Sequence, residues 1–358
     1  MIYVVLFILC AILVYFENVR GAESFLRLFQ WILLGFLIIF IGFRLMGPDY
    51  TSYKRYYLSN ENLTGTFEPF FVWTIQFFQS IPLSFQAYLV FIATLSVSIK
   101  AYVIRRYSPY FYLSMLVALM NYFLSDMGQI RFSLAIATIW LSLQYCEKKD
   151  IKRFLIVCTV AYTMHVSSLI FIPAYFLPSF RIKLPYMLLI WVGCVIFSFI
   201  LDNSFISDWV NSLARDSMID TKVSSYTSDE EQTFTSRVKF TVMGTVVKVF
   251  QLVLFTYATM ENDRLKTFFI NAYFVGGCLF FFFAFSEIMS ARLSIYYFSF
   301  EVLSIPCFLY YVQDKLTYWS LISAFTLKAF YQLYVLIFHE LPMFYVPYRN
   351  SLLPFLNF

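Results

Sequence analysis

Charge is what this 358-residue chain has least of. Asp, Glu, Lys and Arg together make up 13% of it, against roughly 25% in a soluble globular domain, and that shortage excludes a water-soluble fold. Histidine is scarcer still, with only His165 and His339. The six cysteines (Cys10, Cys146, Cys158, Cys194, Cys278 and Cys307) lie in or beside apolar runs without a CxxC spacing or a His/Cys cluster, so neither a disulfide framework nor structural zinc is expected. No Asp-x-Asp pair occurs, which removes the simplest divalent-metal motif. The segment 1–16 has no basic n-region and no small-residue cleavage site, so it reads as a retained first helix, not a removed signal peptide. A net charge of +5 gives nucleic-acid binding no support.

What is present is hydrocarbon. Hydrophobic residues reach 61% and aromatics 22%, and the apolar runs recur along the whole chain, leaving no stretch for a separate soluble domain. The expectation is an all-α polytopic integral membrane protein built as a single membrane domain over 1–358. With about 20 residues per crossing, helices are expected near 1–16, 28–46, 84–104, 109–124, 130–146, 186–201, 240–259, 267–285, 291–311 and 320–338. The segment 154–177 reads either as one span or as two short helices meeting at His165. Charge decides between these. The connections holding Arg20 and Arg27, Arg105 and Arg106, Lys148 to Arg153, Arg181 and Lys183, Arg264 and Lys266, and Lys315 share one face only if 154–177 is a hairpin. That face is then cytoplasmic, with about twelve membrane helices in all and both termini outside.

The irregular segments fall on the other face: the 47–83 loop, the Asp126 to Arg131 turn, a long loop over 202–239, the Glu287 to Arg292 turn and a C-terminal tail over 339–358. Glu68-Pro69 followed by Phe70-Phe71-Val72-Trp73 reads as a helix start with proline in its first turn. The piece to Ile81 is too short to span, so an interfacial or re-entrant helix is expected there. Trp209, Val210 and Leu213 form an apolar stripe inside the long loop.

Arg131 opens a helix on which Ala135, Thr138 and Ser142 follow at i+4, i+7 and i+11, a small and polar stripe that belongs inside a bundle. Two readings stand for this arginine. A membrane-edge cation is by default functional, while snorkelling, or an ion pair with Asp126, is the bland alternative. Arg44, Arg292 and Arg349 lie at the same outer boundary. Guanidinium forks bind phosphate oxygens bidentately, so several at one face point to a diphosphate or an acidic polymer. Imidazole suits general-base work near neutral pH, and His165 carries that expectation, with a hydrogen-bonded structural residue as the alternative. Asp49 is the rival base, or else a turn residue or helix cap beside Gly47-Pro48. Tyr50, Tyr53, Tyr56 and Tyr57 line a sugar groove in one reading and an interfacial aromatic belt in the other. For the deeper Lys248, Glu301 and Lys328, a structural ion pair is expected.

Gly47-Pro48-Asp49-Tyr50-Thr51-Ser52-Tyr53, Ile130-Arg131-Phe132-Ser133-Leu134-Ala135-Ile136-Ala137, Met164-His165-Val166-Ser167-Ser168-Leu169-Ile170, Arg292-Leu293-Ser294-Ile295-Tyr296-Tyr297 and Pro347-Tyr348-Arg349-Asn350 stand in this order over nearly the whole chain. The set resembles the successive motifs of EpsG/Wzy-type polysaccharide polymerases. The resemblance implies a bacterial inner-membrane glycosyltransferase with a GT-C-like helical architecture, acting on the periplasmic face. It would move a growing glycan from undecaprenyl diphosphate onto the sugar of a new lipid-linked repeat unit, with a flippase and a chain-length-regulating co-polymerase as partners. Family members often carry Gln after the arginine where this chain has Phe132, so no role for that Gln is carried over.

Such a donor already has a good leaving group, so the site needs positive charge more than a general acid. Arg131, Arg292, Arg349 and Arg44, with Tyr53 and Tyr296, stand as the diphosphate- and glycan-binding candidates; no metal or other cofactor is expected. Asp126 is expected to steady Arg131 or cap its helix, with Gly128 permitting the turn, so Asp126→Asn should be mild. A glycan ligase of the same architecture remains the nearest alternative. A lipid-oligosaccharide flippase would want midplane charges between repeated halves, and a membrane acyltransferase gives the basic outer set no purpose.

Overall fold

Inside hydrocarbon a backbone N–H or C=O finds no water, so a chain this apolar satisfies its main chain within helices. The computed structural model bears this out over the residues it describes, 2–18, 23–59, 67–81, 83–119, 122, 124–200, 234–284, 286–335, 337–338 and 345–353. Among them there is no strand, and the one extended pairing is an isolated antiparallel bridge between Arg44 and Asn350. Among the described residues, three helices are long and apolar enough to cross a membrane (Ser24–Gly42, Phe85–Tyr107 and Asp263–Phe282), or up to four if Ile288–Phe298 and Glu301–Tyr310 count as one bent span. Shorter apolar helices accompany them. This is the build of a polytopic membrane protein. Most of the 202–239 loop, with its Trp209 stripe, lies outside the described residues, as do His339 and both ends of the tail.

The chain divides into two compact units. The first comprises Met1–Gln144, Leu155–Ser168 and Glu301–Phe358. It contains α1 (Ile2–Glu17), α2 (Glu23–Gly42), α3 (Tyr50–Leu58), α4 (Pro69–Ser80), α5 (Phe85–Tyr107), α6 (Phe111–Ala118), α7 (Leu124–Gly128) and α8 (Ile130–Trp140). After α9 (Leu143–Lys148), which straddles the boundary, most of α10 (Ile151–Met164) belongs here too.

At one end of this unit the basic connections gather. The Glu17 carboxylate accepts the backbone N–H groups of Tyr112 at 3.0 Å and Leu113 at 3.3 Å, satisfying orphan donors at the start of α6. Tyr112 donates its hydroxyl to the Leu26 carbonyl at 2.6 Å, and Arg105 lies 4.2 Å over the Trp31 ring. In α3 the tyrosines at i, i+3 and i+7 (Tyr50, Tyr53 and Tyr57) are buried while Thr51, Ser52, Lys54 and Arg55 face out. Tyr50 and Tyr57 pack on Phe85 and Tyr88 of α5, so this stripe is packing surface and not an interfacial belt.

The second unit comprises Tyr145–Phe154 and Leu169–Phe300. It holds most of a 3-10 helix (Val166–Ser179), then α11 (Leu184–Ile200), α12 (Phe234–Tyr257), α13 (Asp263–Phe282) and α14 (Glu287–Phe298). Trp191 donates to the Phe274 carbonyl at 2.9 Å and Phe197 meets Phe282 six residues further along the first helix, so α11 and α13 run parallel. Their starts meet the other basic segments of this unit: Arg181 pairs with Asp263 at 3.0 Å and Arg264 donates to the Glu147 carbonyl at 2.9 Å. Arg181 and Arg264 thus tie the second unit's basic segments together at one end, while Arg20 of the first unit lies outside the described residues.

Several boundaries differ from the sequence reading. The 154–177 segment is broken, as the hairpin requires: α10 stops at Met164, the Ser168 N–H returns to the His165 carbonyl at 3.1 Å, and the Phe154 ring meets Tyr175 at 5.3 Å as the chain doubles back. The expected 130–146 helix is interrupted, because Leu141 and Ser142 bond to carbonyls three residues back (Thr138 and Ile139) and tighten the end of α8. The expected 291–311 helix likewise breaks at Ser299 and Phe300, before α15 (Glu301–Tyr310), which leads to α16 (Lys315–Val335). Within the expected 109–124 helix, α6 ends at Ala118 and Leu119 and Tyr122 are π-helical, and the helix expected from 240 already begins at Phe234.

Gly47 has φ +134°, a conformation that L side chains rarely adopt, and a Cβ there would be driven into the Met127 carbonyl oxygen. Gly47→Ala is therefore expected to destabilise the first unit by more than about 1 kcal/mol. A thermal-unfolding midpoint in detergent equal to that of the parent would show the turn to be looser than this contact implies.

Candidate functional site

At about 1.5 Å per residue, the 20 residues of α2 carry the chain to the end of the first unit opposite its basic connections. Three of the sequence motifs meet there. Backbone pairing of Leu45 N–H with the Arg349 carbonyl (2.9 Å) and of Ser351 N–H with the Phe43 carbonyl (2.9 Å) joins the first motif to the last. Tyr348 stacks on Phe40 at 4.2 Å and donates to its carbonyl at 2.7 Å. Gly47 closes on Met127, and a Cβ at Gly128 would stand 2.7 Å from the Tyr345 hydroxyl and 3.1 Å from Pro48. Gly128 thus serves the turn by letting these two neighbours approach.

Arg131 follows one turn later, at the start of α8. Its Nη1 donates to Glu68 Oε2 at 2.6 Å and its Nε to the Tyr53 hydroxyl at 2.5 Å. The guanidinium lies 4.8 Å over the Phe67 ring, which stacks on Tyr53. Burial holds the Tyr53 phenol well above its usual pKa, against the pull of the Arg131 charge, so it is a neutral acceptor at working pH. Glu68 is 1% exposed at its side chain and Arg131 21%. Glu68 occupies the N-cap position of α4, with Pro69 in the first turn as the sequence indicated, but its carboxylate makes no cap bond. It is turned to the arginine instead. The stripe behind Arg131 is inside the bundle: Ala135, Thr138 and Ser142 are all buried.

Asp126 does not pair with Arg131. Its Oδ2 lies 2.6 Å from Lys100 Nζ, and its Oδ1 accepts from Ser96 at 2.6 Å. Lys100 also donates to Ser133 at 2.8 Å and to the Tyr122 carbonyl at 3.1 Å. The physical reason is reach: α5 presents Lys100 to the buried face of α7, while Arg131 leaves from the next turn toward α3 and α4. Arg44 is 2% exposed; one bond runs from its Nη1 to the Ile41 carbonyl at 2.7 Å, and its Nε is buried with no partner. The carboxylate whose field it feels is that of Asp126.

The remaining candidates divide. His165 is buried, and its ring meets Phe132 edge-on at 5.4 Å, so the motif histidine stands beside the residue after Arg131. Ser167 donates its backbone N–H to Nδ1 at 3.3 Å, with its hydroxyl 2.7 Å from the same atom. That pattern places the neutral ring's proton on Nε2, which makes the opposite ring edge a donor in this state. Asp49 is the N-cap of α3 without a side-chain cap bond. The backbone of Arg349 is tied to Leu45, and its side chain is exposed. Arg292 lies half-exposed on α14 in the second unit, where Tyr296 is fully buried and Tyr297 donates to the Ile170 carbonyl at 2.7 Å. Among the deeper charges, Glu301 pairs with Lys328 at 3.0 Å, and Lys248 sits 3.6 Å over the Phe280 ring.

Sequence reasoning missed Glu68 as the partner of Arg131 and Lys100 as the partner of Asp126. Lys100 carried a signal: it stands within an apolar run and needs a counter-ion.

No curated protein and no solved structure matches the chain. The EpsG family model matches residues 27–350, from α2 through the tail that closes on Arg44. The chain that brings Gly47, Arg131 and Tyr348 to one end of its first unit therefore belongs to the EpsG family, a family of Wzy-type polysaccharide polymerases of the bacterial inner membrane.

Proposed function

We propose that this protein extends a polysaccharide on the periplasmic face, moving a growing glycan from undecaprenyl diphosphate to a sugar hydroxyl of an incoming lipid-linked repeat unit. In that step the acceptor O–H gives up its proton, its oxygen bonds the anomeric carbon, and the bond from that carbon to the diphosphate oxygen breaks. The departing diphosphate gains negative charge, which fixed cations stabilise. The observation that carries the reading is the held guanidinium of Arg131: Glu68 and Tyr53 fix two of its nitrogens while a fifth of the side chain stays open. Arg44, with donors unused, Arg349 beside it and Arg292 are the further phosphate ligands of this reading. His165 and Asp49 are rival acceptors of the hydroxyl proton, His165 requiring its other tautomer.

The reading includes about twelve membrane helices in a GT-C-like single membrane domain, with outer segments 47–83, 202–239 and 339–358. It uses no metal, and it works with a flippase and a chain-length-regulating co-polymerase. Deleting the gene tests it: lipid-linked glycans stalled at a single repeat are the expected result. Long polymer left unattached would identify a ligase, and loss of export a flippase. Orientation is tested separately by cysteines at Ser351 and Asp150, of which only the first should label from the periplasm.

A further inference from the structure

The second unit holds a cavity of about 190 Å³ lined by Arg181, Met187, Asp263, Lys266, Thr267 and Asn271, among others, at the end where its basic segments gather. Its polar lining is mostly spent. Asn271 donates to the carbonyls of Leu177 (2.7 Å) and Phe180 (2.6 Å), Thr267 donates to the Asp263 carbonyl at 2.7 Å, and Arg181 neutralises Asp263 at 3.0 Å. Lys266 is the cation left over, with no ion pair among the described residues. Beside the cavity, α11 turns Tyr186, Leu189 and Ile190 outward, all apolar and exposed. The helix that lines the hollow with Met187 thus also presents an exposed apolar face.

We infer that this cavity takes the phosphate of an anionic phospholipid, the phosphate facing Lys266 and the acyl chains lying along the exposed face of α11. The volume suits a headgroup; drug-sized ligands occupy pockets of about 300 Å³ or more. Basic hollows between membrane helices bind anionic headgroups by this charge complementarity. Lipid is the occupant and not free phosphate, because the cation alone is half of the surface presented. None of the lining residues belongs to the Arg131 site, and the binding does not depend on the polymerase reading.

The test uses the purified full chain in neutral detergent, with native mass spectrometry and thermal unfolding as readouts. Phosphatidylglycerol should be retained and raise the unfolding temperature, and phosphatidylcholine should do neither. Lys266→Glu should weaken phosphatidylglycerol binding about tenfold, Lys266→Arg should keep it, and Lys315→Glu, the same charge change in the other unit, should leave it intact. If Lys266→Glu does not fold, Lys266→Gln reads the same contact with a smaller loss. Equal retention of phosphatidylcholine, or equal effects of Lys266→Glu and Lys315→Glu, would overturn the proposal. Protection by inorganic phosphate at the same concentration would assign the cavity to a soluble anion and overturn it as well.

Discussion

Replacing Arg131 with alanine is expected to cut chain extension by about 10²- to 10³-fold, the scale of one electrostatic donor lost from a transition state. The same change strands Glu68, whose side chain is 1% exposed, and a buried partner left uncompensated costs about 3–5 kcal/mol. Activity must therefore be read per inserted protein, and a second variant is needed. Arg131→Lys keeps the charge and an ion pair to Glu68 but gives up the Nε bond to Tyr53 and the planar fork. It should insert at normal levels and still lose at least tenfold in polymer length or amount. Glu68→Gln completes the set, since an amide still accepts from Nη1: near-parent activity would make Glu68 a positioning residue, and inactivity at normal levels would make its charge part of the chemistry. Full-length polymer from both Arg131 variants at parent protein levels would leave the arginine as a packing cation over Phe67.

Which parts of this arrangement were legible beforehand follows from how local each signal is. Pro69 fixes a helix start by its own ring, and α4 begins there. The break at His165 was forced by an argument about charge on distant loops, and the chain does turn there. The interruptions after Trp140 and after Phe298 had no local mark. Neither contains Pro or Gly, and in helices buried on all sides, such as α8 and α15, the apolar pattern runs on across a break unchanged. The pairing of Arg131 was misread for a related reason. Sequence offered Asp126 five residues away, while Glu68 stands 63 residues upstream on a helix whose orientation only packing decides. Convergence of Gly47, Gly128 and Tyr345 was likewise invisible, although the glycines themselves invited it.

Lys100 and Asp126 give the largest expected effect on stability, and they reverse an expectation drawn from sequence. With Asp126 only steadying Arg131 or capping its helix, Asp126→Asn would be mild, because an amide still accepts a hydrogen bond. In the fold Asp126 is the counter-ion of an ammonium group with no solvent exposure, so Asp126→Asn and Lys100→Met should each cost about 3–5 kcal/mol, the range for breaking a buried pair from one side. Thermal unfolding in detergent and the amount of inserted protein measure this directly. The double variant Lys100→Met/Asp126→Leu separates structure from chemistry. Replacing a buried pair by apolar groups of similar volume is often neutral, so it should recover most of the lost stability, less the bonds that Ser96, Ser133 and the Tyr122 carbonyl give up. If the pair only seats α7 against the Gly47-Pro48 turn, polymer should return along with stability. Recovered stability without polymer would instead mean that the charge of Asp126 acts on Arg44 during transfer, and single variants as stable as the parent would remove the pair from the account of the fold.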